Sequence, residues 1–254
     1  MASSSGLFPS FLLRLAEFRR RTAGRSISVV ALCLTLAGSA GAAEMPGYFR
    51  QALAQFNPDV PKGWAYTLET DRNGAQLKER YDPSKPPDAQ WTLLQLGGRP
   101  PSAREIEKYA GSRPGSTSSA PQSTFQKADI EPGSAELIQE NADRGEFRCA
   151  FRAESTGADK MLGHLLLRFT INRRQPHVEK FSLELREPYS PVLGVKMREL
   201  RVQMSLTAPG PGRPGLPVES TSHFLGTIFF ISLEENLRIT YSDFAGPDQT
   251  AGKP

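Results

Sequence analysis

The sequence predicts an α+β protein: a large antiparallel sheet, curved as a half-barrel, covering two or three helices. Three observations carry this. Along the second half of the chain apolar and polar residues alternate, as in Leu165, Leu167, Phe169 and Ile171 against His164, Arg168, Thr170 and Asn172, which puts one apolar face on each strand. Turn residues separate these runs at short intervals, so successive strands are hairpin-linked. Two stretches of the first half repeat at helical spacing instead, and a sheet with one apolar face needs such a cover.

The chain opens on a different signal. Arg14, Arg19, Arg20, Arg21 and Arg25 precede a short apolar run at 27–36 and the small residues Ala40-Gly41-Ala42-Ala43. Positive start, apolar stretch and A-x-A site make a secretory leader, expected over residues 1–43 with cleavage after Ala42 or Ala43. The run is shorter than the roughly 20 residues that span a bilayer. Cys33 lies in mid-run, which argues against lipidation. The expected compartment is therefore the periplasm, with no stable transmembrane span after cleavage.

Charge follows from that reading. The 31 basic and 27 acidic residues lose five and one with the leader, leaving 26 of each. A neutral domain lacks the basic footprint that a nucleic-acid partner wants. Cys149 would then be the lone cysteine. It alternates with Phe147 and Phe151 on one strand face, the setting of a buried core thiol rather than a reactive one.

Residues 44–244 read as one strand-rich domain. Residues 46–57 make a short helix with Tyr48, Phe49, Ala52, Leu53 and Phe56 on one face. Trp64, Tyr66 and Leu68 open the first strand, Asn73-Gly74 turns it, and residues 76–81 return. A stiff loop at 82–87 leads to a third strand at 90–96 with Trp91, Leu93 and Leu94. Ser102 and Glu105 form a capping box, so a second helix runs from 102 to about 110 with a narrow face of Ile106 and Tyr109. Residues 112–124, rich in Ser, Gly and Pro, read as a flexible loop.

Strands are then expected at 136–139, 146–154, 164–172, 178–186, 195–206, 218–230 and 233–241. A change of apolar phase places a bulge near Arg198. Residues 245–254 read as a disordered tail.

The chemistry-bearing residues are sparse. His164, His177 and His223 have no ligand partner at metal spacing. Gly210, Gly212 and Gly215 spell G-x-G-x-x-G, but interleaved prolines remove the donors and forbid the helix that phosphate binding needs. Asp82 and Asp243 suit turn and capping roles. No catalytic residue, metal site or cofactor is expected. One run is unusual: residues 224–231 are apolar on both strand faces, as in a central strand, a cavity wall or a partner surface.

Trp64, Tyr81-Asp82-Pro83, Trp91-x-Leu93-Leu94, Gly98-Arg99-Pro100-Pro101-Ser102, Val195-Lys196-Met197 and Tyr241-Ser242-Asp243-Phe244, in that order, resemble a family of uncharacterised proteobacterial periplasmic proteins over residues 45–244. That resemblance carries over no catalytic residue. The strand pattern is also distantly similar to the lipoprotein-carrier half-barrels of the LolA/LppX type, which implies an apolar interior that holds acyl chains.

The functional expectation is a non-catalytic envelope module that binds a lipid, an acyl chain or another apolar ligand, with a lipid or lipoprotein as the expected partner. Trp64, Tyr66, Trp91, Leu93, Phe169, Phe181, Phe229 and Phe230 are expected to line its cavity. The alternatives are an interaction or structural protein that meets an envelope partner through a sheet edge or the 224–231 surface, and an enzyme in whose cleft Asp82, Asp243, His164 or His223 converge.

Overall fold

The computed structural model describes residues 45–112, 125–152 and 161–247. The expected leader at 1–43, the expected loop at 112–124 beyond its first residue, and the expected tail at 245–254 beyond its first three residues lie outside them; of those three, Ala245 is not tail but pairs with Ala65 in the sheet.

The described elements are α1 (Gly47–Gln55), β1 (Ala65–Arg72), β2 (Ala75–Tyr81), β3 (Trp91–Leu96), α2 (Ala103–Ser112), β4 (Ile130–Glu140), β5 (Arg144–Phe151), β6 (Leu165–Asn172), β7 (His177–Leu185), β8 (Val195–Leu206), β9 (Pro217–Ile228) and β10 (Ile231–Ala245). The ten strands form one open sheet in the order β3-β2-β1-β10-β9-β8-β7-β6-β5-β4. All neighbouring pairs are antiparallel. This is the expected α+β class. Strands β4 to β10 succeed one another as a meander, and the β1–β3 unit attaches to the far side of β10.

Turn chemistry sets two of the hairpins. Asn73 (φ 49) and Gly74 (φ 84) join Arg72 to its partner Ala75, the two-residue turn that the sequence announces. Phe229 (φ 44) and Phe230 (φ 72) do the same between the paired Ile228 and Ile231. Neither phenylalanine is a turn residue, so the expected strand at 218–230 overruns: it ends at Ile228. In β8 the register slips between Met197 and Glu199, which is the bulge expected near Arg198. It lets Val195 and Met197 share a face with Leu200 and Met204, and all four are buried.

Directly paired residues lie on one face, so the ladders trace rows across the sheet. One row runs Phe147, Phe169, Phe181, Met204, Ser220, Ile239, Thr70, Leu77 and Leu96. Its first three rings meet α1. The Phe49 ring lies 4.4 Å from Phe147. Phe56, just past the helix end, lies 5.2 Å from Phe169 and 5.6 Å from Phe181. Gly145 has no room for a Cβ, because the Tyr48 hydroxyl and the Phe147 ring fill the space. A second cluster of Tyr66, Leu68 and Tyr241, with Tyr81, Trp91 and Phe244 against it, fills the same face near β1–β3.

The helices do not act together as a cover. The capping box forms: the Ser102 N–H donates to Glu105 Oε2 at 2.8 Å and the Glu105 N–H to Ser102 Oγ at 3.4 Å. Yet Ile106 is 48% exposed. A two-residue apolar face has too little area to drive burial, and α2 is held instead by the Tyr109 hydroxyl donating to the buried Glu79 at 2.6 Å. Cys149 is buried as expected, and burial pushes its thiol pKa up to about 12.

Both the strained turn and the buried thiol are testable. Replacing Phe229-Phe230 by Asn-Gly relieves left-handed backbone that costs roughly 1–2 kcal/mol per residue, so chemical denaturation should show a gain of about 1 kcal/mol or more. Cys149 should ignore a thiol reagent at pH 8 in the native state and react at once in denaturant. Because its folded pKa is raised, its contribution to stability is full below the unfolded pKa near 9 and is lost as pH rises towards about 12.

Candidate functional site: a groove beside the first helix

The side chains expected to line a cavity divide into three groups. Phe169 and Phe181 are in the packed core under α1, and Phe56 lies over both. Tyr66, Trp91 and Leu93 are at the β1–β3 end, where the Tyr66 ring sits 6.1 Å from Trp91 and Leu93 is buried. Trp64, just before β1, lies beside Gly246. Phe229 and Phe230 are not inward at all: as turn residues they are 68% and 101% exposed. The fold therefore separates residues that the sequence pattern places around one cavity.

Between the two filled regions the α1-bearing face is only partly covered. Val202 and Leu206 on β8, and Leu233, Leu237 and Ile239 on β10, are half-buried. Ser220 and Ser222 face the same way on β9. An ion pair of Arg72 with Glu235, 3.9 Å apart, lies between Leu233 and Leu237 in this strip. Its composition is apolar with small hydroxyls, a surface that tolerates water and can also accept an apolar chain.

At the Leu206 end the strip meets a groove of about 360 Å³. One wall is built from the last turn of α1 and the residues just past its end: Ala52, Gln55, Phe56 and Asn57. The opposite wall is His177 and Val178 at the start of β7 with Leu206 and Thr207 at the end of β8. The rim is the β8–β9 loop, from Pro209 to Gly215. That loop is pinned by paired backbone bonds between Gly210 and Arg213, at 2.9 and 3.0 Å, with Gly212 at φ 66. The G-x-G-x-x-G letters thus make a tight reverse turn at the mouth of a groove, with no helix after them. Its volume is at the small end of ligand sites, and its mix of apolar walls with a few polar groups is typical of them. Apolar periodicity cannot find such a groove, because Gly and Pro supply the rim. The one visible signal is the density of those two residues between long strands.

The ionisable groups are tied up separately. Asp82 accepts from the Ser84 hydroxyl at 2.6 Å and its N–H at 3.1 Å, and the hydroxyl bond chiefly holds its pKa below the usual value. Asp243 is lowered mainly by the Thr67 hydroxyl and then by Ser242. His164 stacks on Tyr189 at 4.0 Å. His223 is bonded through Nδ1 to Asn236 Oδ1 at 2.9 Å, and His177 Nδ1 to the Gln175 carbonyl at 2.6 Å. His177, expected in a loop, is buried at the first position of β7. These groups sit on different elements with their own partners, and no cluster of metal-ligating side chains occurs among the described residues. A second trough of about 360 Å³ lies mostly on the other sheet face, between Glu69, Lys78 and Arg238. It is polar, and Lys78 and Glu69 are already paired at 2.5 Å.

No protein-family model, curated protein or solved structure matches this chain. No helix among the described residues is long and apolar enough to cross a membrane.

Phe56 joins the groove to the core beneath it. Phe56→Ala should cost roughly 3–5 kcal/mol, the range for a large-to-small change at a buried aromatic, read as a lowered urea midpoint with an unchanged slope.

Proposed function

We propose that this chain is a non-catalytic periplasmic binding module whose sheet curves as a half-barrel and holds an apolar ligand, an acyl chain of a lipid or lipoprotein. The observation that carries the reading is the partly covered strip on β8–β10 that runs into the groove between Phe56 and Leu206. Half-buried aliphatic side chains on β8 and β10, flanking the small serines of β9 and leading to an apolar-walled groove, suit a long, thin, flexible ligand better than a compact polar one. Each buried methylene contributes about 0.8 kcal/mol, and with few directional groups in the walls the specificity should be for chain length rather than head chemistry. His164 and His223 sit on other elements than Asp82 and Asp243, which share Arg80 as a neighbour, and this separation favours binding over catalysis, since acid–base chemistry needs such groups within reach of one substrate.

The test is mass spectrometry of an organic extract from the protein purified from an envelope without detergent. A stoichiometric lipid is expected, and Leu206→Arg should reduce its occupancy about tenfold or more. The half-buried site of Leu206 lets that variant fold, which circular dichroism would check. A clean extract that stays clean after incubation with fluorescent fatty acid overturns the proposal.

One observation favours a second reading. β4 is an edge of the sheet, and Leu137 and Ile138 on it are 42% and 43% exposed. An edge with apolar side chains is a template for adding a partner strand. An envelope protein crosslinked at Leu137, and lost on Ile138→Lys, would support interaction in place of ligand carriage.

A further inference from the structure

The apolar run at 224–231 ends at an exposed tip. Phe229 and Phe230 form the β9–β10 turn, and Ile231 is next at 72% exposure. The β7–β8 connection lies beside it: the Phe229 N–H donates to the Gly194 carbonyl at 2.7 Å. A Cβ on Gly194 would stand 2.6 Å from the Phe229 ring, so the ring lies close against the glycine. Leu193, one residue back, is 96% exposed. Phenylalanine carries roughly 150–250 Å² of buriable surface. The two rings alone therefore present on the order of 300 Å², and Leu193 and Ile231 add to them, a patch as large as the largest on a typical monomer, which is often functional.

We infer that this tip inserts into the apolar edge of a lipid bilayer. The tip is a separate surface from the groove and acts independently of it. Three features select a lipid surface over a protein partner. The first is depth without charge. Neither 188–195 nor 224–233 contains an acidic or basic residue. The first acids on the strands, Glu199 and Glu234, both pair with Leu225. From Ile231 to Glu234 is three residues, roughly 10 Å of strand, which matches the 5–10 Å that interfacial apolar groups penetrate. Glu187 lies back from the tip as well, two residues before Tyr189, which pairs with Met197.

The second feature is the sign of the nearest charge. Lys196 pairs with Thr227 one row behind the tip and is exposed, placed for a phosphate headgroup while the rings enter the acyl region. Third, Leu193 and residues 228–231 carry no polar side chain, so the tip itself lacks the directional groups that a specific protein contact uses. Its backbone is fixed instead, with both phenylalanines in left-handed geometry. Asparagine and glycine would make this turn at lower cost, so the local sequence favours exposed aromatic rings over an easy turn.

The experiment is vesicle co-sedimentation of the protein without its leader, on phosphatidylcholine vesicles and on vesicles with one third phosphatidylglycerol. Binding to both is expected, severalfold stronger on the anionic vesicles. The variant F229N/F230G keeps the turn and should lose binding tenfold or more. Lys196→Gln should remove only the preference for phosphatidylglycerol. Sedimentation velocity without lipid accompanies it, with the wild type expected to be no more associated than the variant. No binding by the wild type, or equal binding by F229N/F230G, overturns the inference. A dimer that this variant dissociates also overturns it, and assigns the tip to a second copy of the chain.

Discussion

The structure is governed by a mismatch of areas. A one-faced sheet of ten strands offers far more apolar surface than a nine-residue helix can cover. α1 seals the phenylalanines of β5–β7, and a ring cluster seals β1–β3. What remains in the middle is managed by composition. Along the row that begins with Phe147, the aromatic residues give way to Ser220 and Thr70 where the helix no longer reaches. The partly covered strip, and the groove at its end, are left because cover runs out before the sheet does.

The two hairpin tips differ in what their residues are chosen for. At Asn73-Gly74 the turn is chosen for its backbone, and the side chains are small and polar. At Phe229-Phe230 the backbone takes the same left-handed values, but the side chains are large, apolar and bare. A folded domain rarely keeps both unfavourable backbone and unfavourable exposure at one place without a use for it.

Sequence patterns make the sheet legible because strand alternation reports burial directly. The α+β class, the Asn73-Gly74 turn, the β8 bulge and the Cys149 face all come from residue types whose local preference agrees with the fold. Legibility ends where local preference and structure disagree. Phe229 and Phe230 have strand propensity and no turn propensity, so their pattern extends the strand through the turn and places two exposed rings inside. Ile106 and Tyr109 give α2 an apolar face, but the helix is secured by a hydrogen bond to Glu79, which no periodicity announces. Phe169 and Phe181 are inward as expected, yet their inward space is taken by Phe56, and only tertiary packing decides which ring fills a gap. The groove is hidden for a related reason: Pro209, Gly210, Gly212 and Gly215 read as a plain connection until the fold sets them against the end of α1.

The strand order has a consequence for how the chain is made. β1 lies next to β10, and Ala65 pairs with Ala245, so the first strand waits for the last. During synthesis, β1–β3 can fold only as a lone three-stranded ribbon with an unpaired inner edge, and β4–β9 can grow as a meander without it. The two join when β10 is complete and both of its sides are taken. Completion of the sheet is thus tied to β10, and a product that stops before it would expose two open edges in the middle of the sheet, a ready substrate for quality-control proteases and holding chaperones.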